Sequence, residues 1–176
     1  MKRYIEIEKL VYQEIEKNCF GNKKRNGYRH LFGVSQLCLL YSTHFQLDQG
    51  LCAIMGLLHD YSVYKNNTSF NHAVLSSELA EKLLKETILF DEKEIGIIVE
   101  AIKNHSTKNK RHDMYSELLK MCDVVDSYLH EPEIILDHDR KYYLENLMNK
   151  KVSICRNHYY FGNSCLYCDS LYFRLY

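Results

Sequence analysis

The sequence predicts an all-α fold, and three observations support this prediction. Apolar residues recur at helical rather than alternating intervals in successive segments of the 176-residue chain. Pro132 is the only proline, so little interrupts a helix. Internal repeats and low-complexity linkers are absent from the sequence. Together these features favour one domain of about seven helices, in a chain long enough to bury a core.

Each of the first three predicted helices carries an apolar stripe. The first stripe consists of Ile5, Ile7, Leu10, Val11 and Ile15, and the polar stretch GNKKRNG (21–27) is predicted to end this helix. The second consists of Tyr28, Leu31, Val34, Leu37, Cys38 and Tyr41. The third consists of Leu51, Ile54, Met55 and Leu58, and Asp48 is predicted to cap its N-terminus.

Turn and capping signals divide the following segment. YKNNTSF (64–70) is predicted to be a loop, after which Asn71 can cap a fourth helix. The apolar face of that helix consists of Val74, Leu75, Leu79 and Leu83. Asp91 and Glu94 have the spacing of a capping box, which predicts a fifth helix through Ile95, Ile98 and Ile102.

Two further helices complete the predicted domain. After the polar loop STKNKRHD (106–113), a sixth helix carries Leu118, Met121, Cys122 and Val125. A seventh is predicted after Pro132, with Ile135, Tyr142 and Leu147 on it. We therefore assign residues 1–150 to the domain.

Residues 151–176 form an aromatic C-terminal tail with little periodicity. Seven tyrosines and phenylalanines mark it: Tyr159, Tyr160, Phe161, Tyr167, Tyr172, Phe173 and Tyr176. The tail is predicted to pack on the domain or at a subunit contact, and the second case would make the protein a homodimer. Cys165 and Cys168 lack a familiar second pair of zinc ligands nearby, which favours two packed thiols over a zinc or redox pair.

Charge and cysteine content limit the class of protein. Lys and Arg number 23, as do Asp and Glu, so the formal net charge is +0 and there is no global field to attract nucleic acid or an anionic membrane. The N-terminal MKRYIEIEKL lacks the apolar core of a signal peptide. Several of the seven cysteines lie within apolar runs, as reduced buried thiols do. We therefore expect a cytoplasmic protein that binds a small molecule.

Histidines and aspartates at the predicted helix ends are the main chemical signal. The candidates are His30, His59, Asp60, His72, His105 and Asp123. Neutral imidazole offers one nitrogen lone pair, and a carboxylate can bridge two ions. A single such histidine can simply interact with the dipole of its helix. Asp123, however, has apolar neighbours on both sides, and a buried carboxylate requires a cation. All six together predict one shared metal site.

The ordered set H…HD…D, which is His30, His59-Asp60 and Asp123, resembles the HD superfamily of metal-dependent phosphohydrolases. The resemblance runs from about Tyr28 to Pro132 and implies an HD-domain helical bundle. YRHLFGVSQ, LLHDYS, NHAVLSSELAEKLL, IKNHST and CDVVDSYLHEP most resemble the bacterial symmetrical diadenosine tetraphosphate hydrolases.

The resemblance also implies the roles of these residues. His30, His59, Asp60 and Asp123 would hold one ion, and Asp60 would bridge to a second ion held by His72 and His105. His59 and Asp60 would lie at the catalytic centre. The ions would be iron, with manganese or another divalent ion as alternatives. Hydroxide between them would attack phosphorus and yield ADP.

Substrate contacts are less clearly specified. Many relatives have a lysine three positions after the motif aspartate, where this chain has Val63, and Lys65 is the nearest replacement. Lys108, Lys110 and Arg111 either attract a polyphosphate or belong to a solvated basic loop. Asp126, one turn after Asp123, either faces the same cleft as a supporting or ribose contact, or is an ordinary exposed acid.

Two other functions fit the same fold. One is a nucleoside monophosphate phosphatase or another small phosphoester hydrolase, for which the Val63 departure leaves room. The other is a non-catalytic module that binds a nucleotide. The presence of all six candidate ligands argues against the second, because a pure binding module has no need of a metal pair.

Overall fold

The computed structural model describes residues 2–148, and these residues contain eight helices and no strand, which confirms the all-α prediction. In chain order they are α1 (Lys2–Asn18), α2 (Gly21–Ser42), α3 (Gln49–Leu58), α4 (Tyr61–Lys65), α5 (His72–Thr87), α6 (Glu92–Asn104), α7 (Met114–His130) and α8 (His138–Met148). The predicted aromatic tail and Cys165 and Cys168 lie outside the described residues. No described helix is both long enough and apolar enough to span a membrane.

The core forms where α3 packs against α2, with α6 and α7 also contacting α3. Every residue of α3 from Leu51 to Leu58 is buried. Gly56 permits the close approach of α3 to α2, because a Cβ atom at this position would lie 2.8 Å from the Ser35 Cα. This contact places the C-terminal end of α3, with His59, beside His30 on α2.

Side-chain caps begin three of the helices. The Asp48 carboxylate accepts a hydrogen bond from the Leu51 amide (2.8 Å), as predicted. The Asp91–Glu94 capping box of α6 is also confirmed. Asp113 caps α7. A cap of this kind contributes about 1 kcal/mol of helix stability.

The structure corrects one predicted helix start and one predicted cap. GNKKRNG does not end the first helix, because α2 begins at Gly21 and this stretch forms its first two turns. Its side chains face solvent or pair with other polar side chains, as where Lys24 pairs with Glu16 (2.7 Å) and Lys23 donates to Asn67, so no apolar stripe marks the turns. Asn71 makes no side-chain cap, because its backbone is left-handed (φ 49°).

The boundaries of two further helices also differ from the prediction. The first residues of the predicted 64–70 loop belong to α4, which ends at Lys65. The last described helix begins at His138 rather than around Ile135, whose side chain is 95% exposed. Tyr143 anchors α8 in a second small core with Met121, Val124 and Val125 of α7.

Candidate metal centre

The six candidate ligands lie together at one end of the bundle, although they come from distant parts of the chain. His30 lies on α2 and Asp123 on α7. His59 and Asp60 follow α3, His72 is the first residue of α5, and His105 is the C-cap of α6. Helix ends and buried helix faces therefore meet at this point, which gives the ligands a rigid frame.

One half of the cluster surrounds the Oδ2 atom of Asp60. The Nε2 atoms of His30 and His59 are 3.1 Å apart, and each lies 3.7 Å from Asp60 Oδ2. Asp123 Oδ1 lies 3.4 Å from the His30 Nε2 and 3.7 Å from the His59 Nε2. His30, His59 and Asp60 thus form a group that could hold one ion, and Asp123 lies beside its two imidazole nitrogens.

The other half surrounds the Oδ1 atom of Asp60. This oxygen lies 3.5 Å from the Nε2 of His72 and 3.4 Å from the Nε2 of His105. The two imidazole Nε2 atoms are 3.2 Å apart. Asp60 therefore has one carboxylate oxygen in each of two groups that could hold a metal ion.

Backbone carbonyls orient three of the rings. His59 Nδ1–H donates to the Gly56 carbonyl (2.7 Å), His105 Nδ1–H to that of Ile102 (2.6 Å), and His72 Nδ1–H to that of Ser69 (3.2 Å). Because a carbonyl only accepts, each Nδ1 must carry the proton, and in the neutral ring the Nε2 lone pair points into the cluster. Lone pairs that face each other at these distances repel, and either a proton on one nitrogen or a metal ion between them removes the repulsion.

Asp60 Oδ1 gives the clearest test of whether a metal fits. Within the described residues, it is the one buried side-chain polar atom that has no hydrogen-bond partner. A buried carboxylate oxygen without a partner is costly, and the nearest polar atoms are imidazole nitrogens that act as metal ligands. The donor set of nitrogen and oxygen atoms suits iron, manganese or zinc. The residues present therefore fit a pair of divalent ions.

The pKa values of the clustered histidines and aspartates indicate that the cluster favours a positive charge. Burial lowers the pKa of His30, but Asp123 and Asp126 outweigh it and raise the pKa to about 10. Burial lowers the pKa of His59 to about 4, so this ring is neutral. Burial raises the pKa of Asp123, but Lys108 and His30 outweigh it and hold that pKa well below its usual value. Ionised carboxylates thus face the neutral ring of His59, and beside His30 they favour a positive charge, which a proton supplies without a metal and an ion would supply with one.

Asp126 supports His30 from behind. His30 Nδ1–H donates to its Oδ2 (2.7 Å), and Asp126 is only 3% exposed, so the interpretation of Asp126 as an ordinary exposed acid is wrong. Gly33, one turn after His30, leaves room for this carboxylate, because a Cβ atom at Gly33 would collide with Asp126 Oδ1. Carboxylates in this position fix ring orientation and raise ligand basicity.

We expect Gly33→Ala to weaken metal binding about 10- to 100-fold, because Asp126 must move and His30 loses its acceptor. Titration of the metal-depleted protein with Mn²⁺ against a chelating dye measures the affinity. Gly96→Ala is the matched control, because a Cβ atom at Gly96 meets nothing within 4 Å. Unchanged affinity in a folded Gly33→Ala protein would contradict this role of Asp126.

Of the four cationic side chains predicted to bind substrate, one contacts the candidate metal centre and three do not. Lys108 lies at the cluster, where its Nζ donates to Asp123 Oδ2 (2.7 Å) and to the His105 carbonyl (2.6 Å). Lys65 instead donates to Glu14 (3.1 Å). Arg111 pairs with Glu117 and stacks on Tyr142, and Lys110 is exposed.

The contacts that position His72 have no direct signal in the sequence. Ser76 Oγ donates to Ser62 Oγ (2.9 Å), and Ser62 Oγ donates to the His72 carbonyl (3.1 Å). All three lie at the junction of α4 and α5, and both serine side chains are buried. Serines are common in loops and on helices, so only the packed structure reveals this role.

A comparison with protein families identifies the fold that carries this centre. Residues 27–130, more than half of the chain, match the HD domain. The chain belongs to the HD domain family. The matched region of this HD domain runs from the second turn of α2 to the end of α7 and therefore contains all six candidate ligands.

A solved structure shares the HD domain fold. It is the crystal structure of a predicted HD superfamily hydrolase from an uncultured Thermotogales bacterium. The two are 19% identical with a TM-score of 0.56, over 80% of this chain and 84% of that chain. No curated protein matches the chain.

Proposed function

We propose that this HD domain is a metal-dependent phosphohydrolase that cleaves a phosphoanhydride bond of a nucleotide. The observation that carries this proposal is the position of Asp60, whose two oxygens each face a pair of imidazole Nε2 atoms. Two divalent ions, when bound, would lower the pKa of water and neutralise phosphoryl oxygens, which together favour attack on phosphorus. We propose iron for these ions, with manganese or another divalent ion as alternatives.

The residues of the chain would prepare this reaction in distinct ways. His59 is fully buried and the Asp60 side chain is 19% exposed, which keeps bulk water away from one side of the centre. Lys108 is mostly buried beside Asp123, so its ammonium group adds a fixed positive charge where a phosphate would approach. A buried, preoriented charge stabilises developing charge on a phosphoryl group more strongly than a solvated one does.

Diadenosine tetraphosphate is the first candidate substrate. The order and helical context of the six ligands support this assignment, together with the resemblance of their flanking stretches to symmetrical diadenosine tetraphosphate hydrolases. In the proposed reaction, water attacks one of the two central phosphorus atoms and the central anhydride bond breaks. Two molecules of ADP leave, and the proton released from water is taken up by solvent.

A nucleotide panel tests the proposal on protein as purified and on protein depleted of metal. We expect diadenosine tetraphosphate to give ADP as the sole nucleotide product, and expect metal depletion to abolish the reaction. Hydrolysis in H₂¹⁸O should label one ADP of each pair. ATP with AMP would contradict the symmetrical cut. Activity confined to monophosphates would support the phosphatase alternative, and binding without turnover the nucleotide-binding module.

A further inference from the structure

A polar cleft opens beside the candidate metal centre, between α2, α4 and the end of α7. Its volume is about 230 Å³, and its lining includes Asn26, Arg29, His30, Tyr64, His130 and Glu131. His30 is the one candidate metal ligand that lines it. The cleft is therefore separate from the metal centre but adjoins it through a shared ring.

Arg29 distinguishes this cleft from the rest of the surface. Of the arginines within residues 2–148, it is the one whose guanidinium makes no hydrogen bond or ion pair. Arg3 pairs with Glu94 and Arg111 with Glu117. Arg25 and Arg140 bind Asn22 and Asp137. A planar guanidinium with all its donors available is suited to bidentate binding of a phosphate.

The cleft contains two carboxylates, of which one is already hydrogen-bonded and one is available to a ligand. Asp126 is engaged by His30 (2.7 Å) and His130 (3.3 Å), so it does not compete for Arg29. Glu131 has no side-chain partner in the part of the chain that the structure describes, and a free carboxylate accepts hydrogen bonds from sugar hydroxyls. Tyr64 adds an aromatic wall and a hydroxyl that likewise makes no hydrogen bond within the described region.

From these contacts we infer that the cleft binds the nucleoside phosphate moiety that extends from the scissile anhydride. Arg29 contacts its phosphate and Glu131 contacts its ribose hydroxyls. The volume is below the roughly 300–1,000 Å³ of sites for drug-sized ligands, so it suits one such moiety rather than a whole dinucleotide. The inference rests on the proposed function for the class of ligand.

Calorimetric titration of the metal-loaded protein with ADP tests this inference without turnover. We expect Arg29→Gln to raise the Kd for ADP about tenfold, because a charge-assisted contact with phosphate is lost. Arg29 is exposed and unpaired, so the fold should not change. Arg25→Gln, one turn earlier on α2 and also exposed, is the matched control and should leave the Kd unchanged.

A second variant tests the ribose contact. Glu131→Gln should weaken the binding of ADP but not that of pyrophosphate, which has no sugar. Equal ADP affinity in the wild-type and Arg29→Gln proteins would overturn the inference, as would absence of ADP binding by the wild type at millimolar concentration. If ADP binding depends on Arg29 but no nucleotide is hydrolysed, the cleft is supported and the proposed catalytic function fails.

Discussion

Asp60→Asn is expected to keep its fold and to lose bound metal and hydrolytic activity together. Asn has the volume of Asp, so the packing at the end of α3 is preserved. It carries no negative charge, however, and its amide nitrogen is not a metal ligand. Since both candidate ion positions use an oxygen of Asp60, one substitution should empty both.

The expected effect is large. Charge stabilisation by catalytic metal ions amounts to several kcal/mol, which corresponds to a rate loss of about a thousandfold or more. Elemental analysis measures the metal, and ADP release from diadenosine tetraphosphate measures the activity. Asp139→Asn on α8 is the control, because this half-exposed acid lies away from the cluster and, within the described residues, pairs with the exposed His138. Full activity or unchanged metal content in Asp60→Asn would rule out the bridging role.

The second large effect concerns a buried ion pair on α7. The Lys120 side chain is 0% exposed, and its Nζ donates to Glu117 (2.9 Å), to the Lys110 carbonyl (2.7 Å) and to His112 Nδ1 (2.6 Å). Glu117 also accepts from Tyr143 (2.9 Å). Burial raises the pKa of Glu117, but the hydrogen bonds that its carboxylate accepts, from Lys120 first and also from the His112 amide, Tyr143 and Arg111, together outweigh burial and lower the pKa. The pair thereby ties the 106–113 loop, which carries Lys108, to α7 and α8.

We expect Glu117→Gln to lower the free energy of unfolding by about 3 kcal/mol, because Lys120 is left buried without its counter-charge. For a chain of this size, that loss lowers Tm by about 6–12 °C. Thermal unfolding followed by circular dichroism measures the change. The double variant Lys120→Met/Glu117→Gln is the control and should recover most of the loss, since no charge remains buried. A single variant as stable as the wild type would show that the pair contributes no net stability.

Local signals explain why the helices were predicted well from sequence. The apolar stripes and the caps at Asp48 and Asp91 depend on residues within one or two turns of each other. The prediction failed where local and tertiary demands differ. The first two turns of α2 carry no apolar stripe, because their side chains contact solvent and other polar side chains rather than the core. The helix could therefore not be recognised there from its apolar pattern. The short α4 spans too few residues to show a period.

The same distinction applies to the candidate site. The proximity of the six candidate ligands could be predicted, because imidazole and carboxylate side chains on successive helices form a recognisable ordered set. The partners of the flexible cations were not, since packing alone decides that Lys108 meets Asp123 while Lys65 meets Glu14. Arg29 was missed for a related reason: its cleft forms only when α2 and the end of α7 come together.

Anomalous diffraction from crystals of the protein as purified, measured at the edges of iron and manganese, tests the central claim most directly. The account predicts two peaks, one among His30, His59 and Asp123 and the other between His72 and His105, with Asp60 in contact with both. A map without a peak at this centre, in crystals of metal-supplemented protein as well, would contradict it.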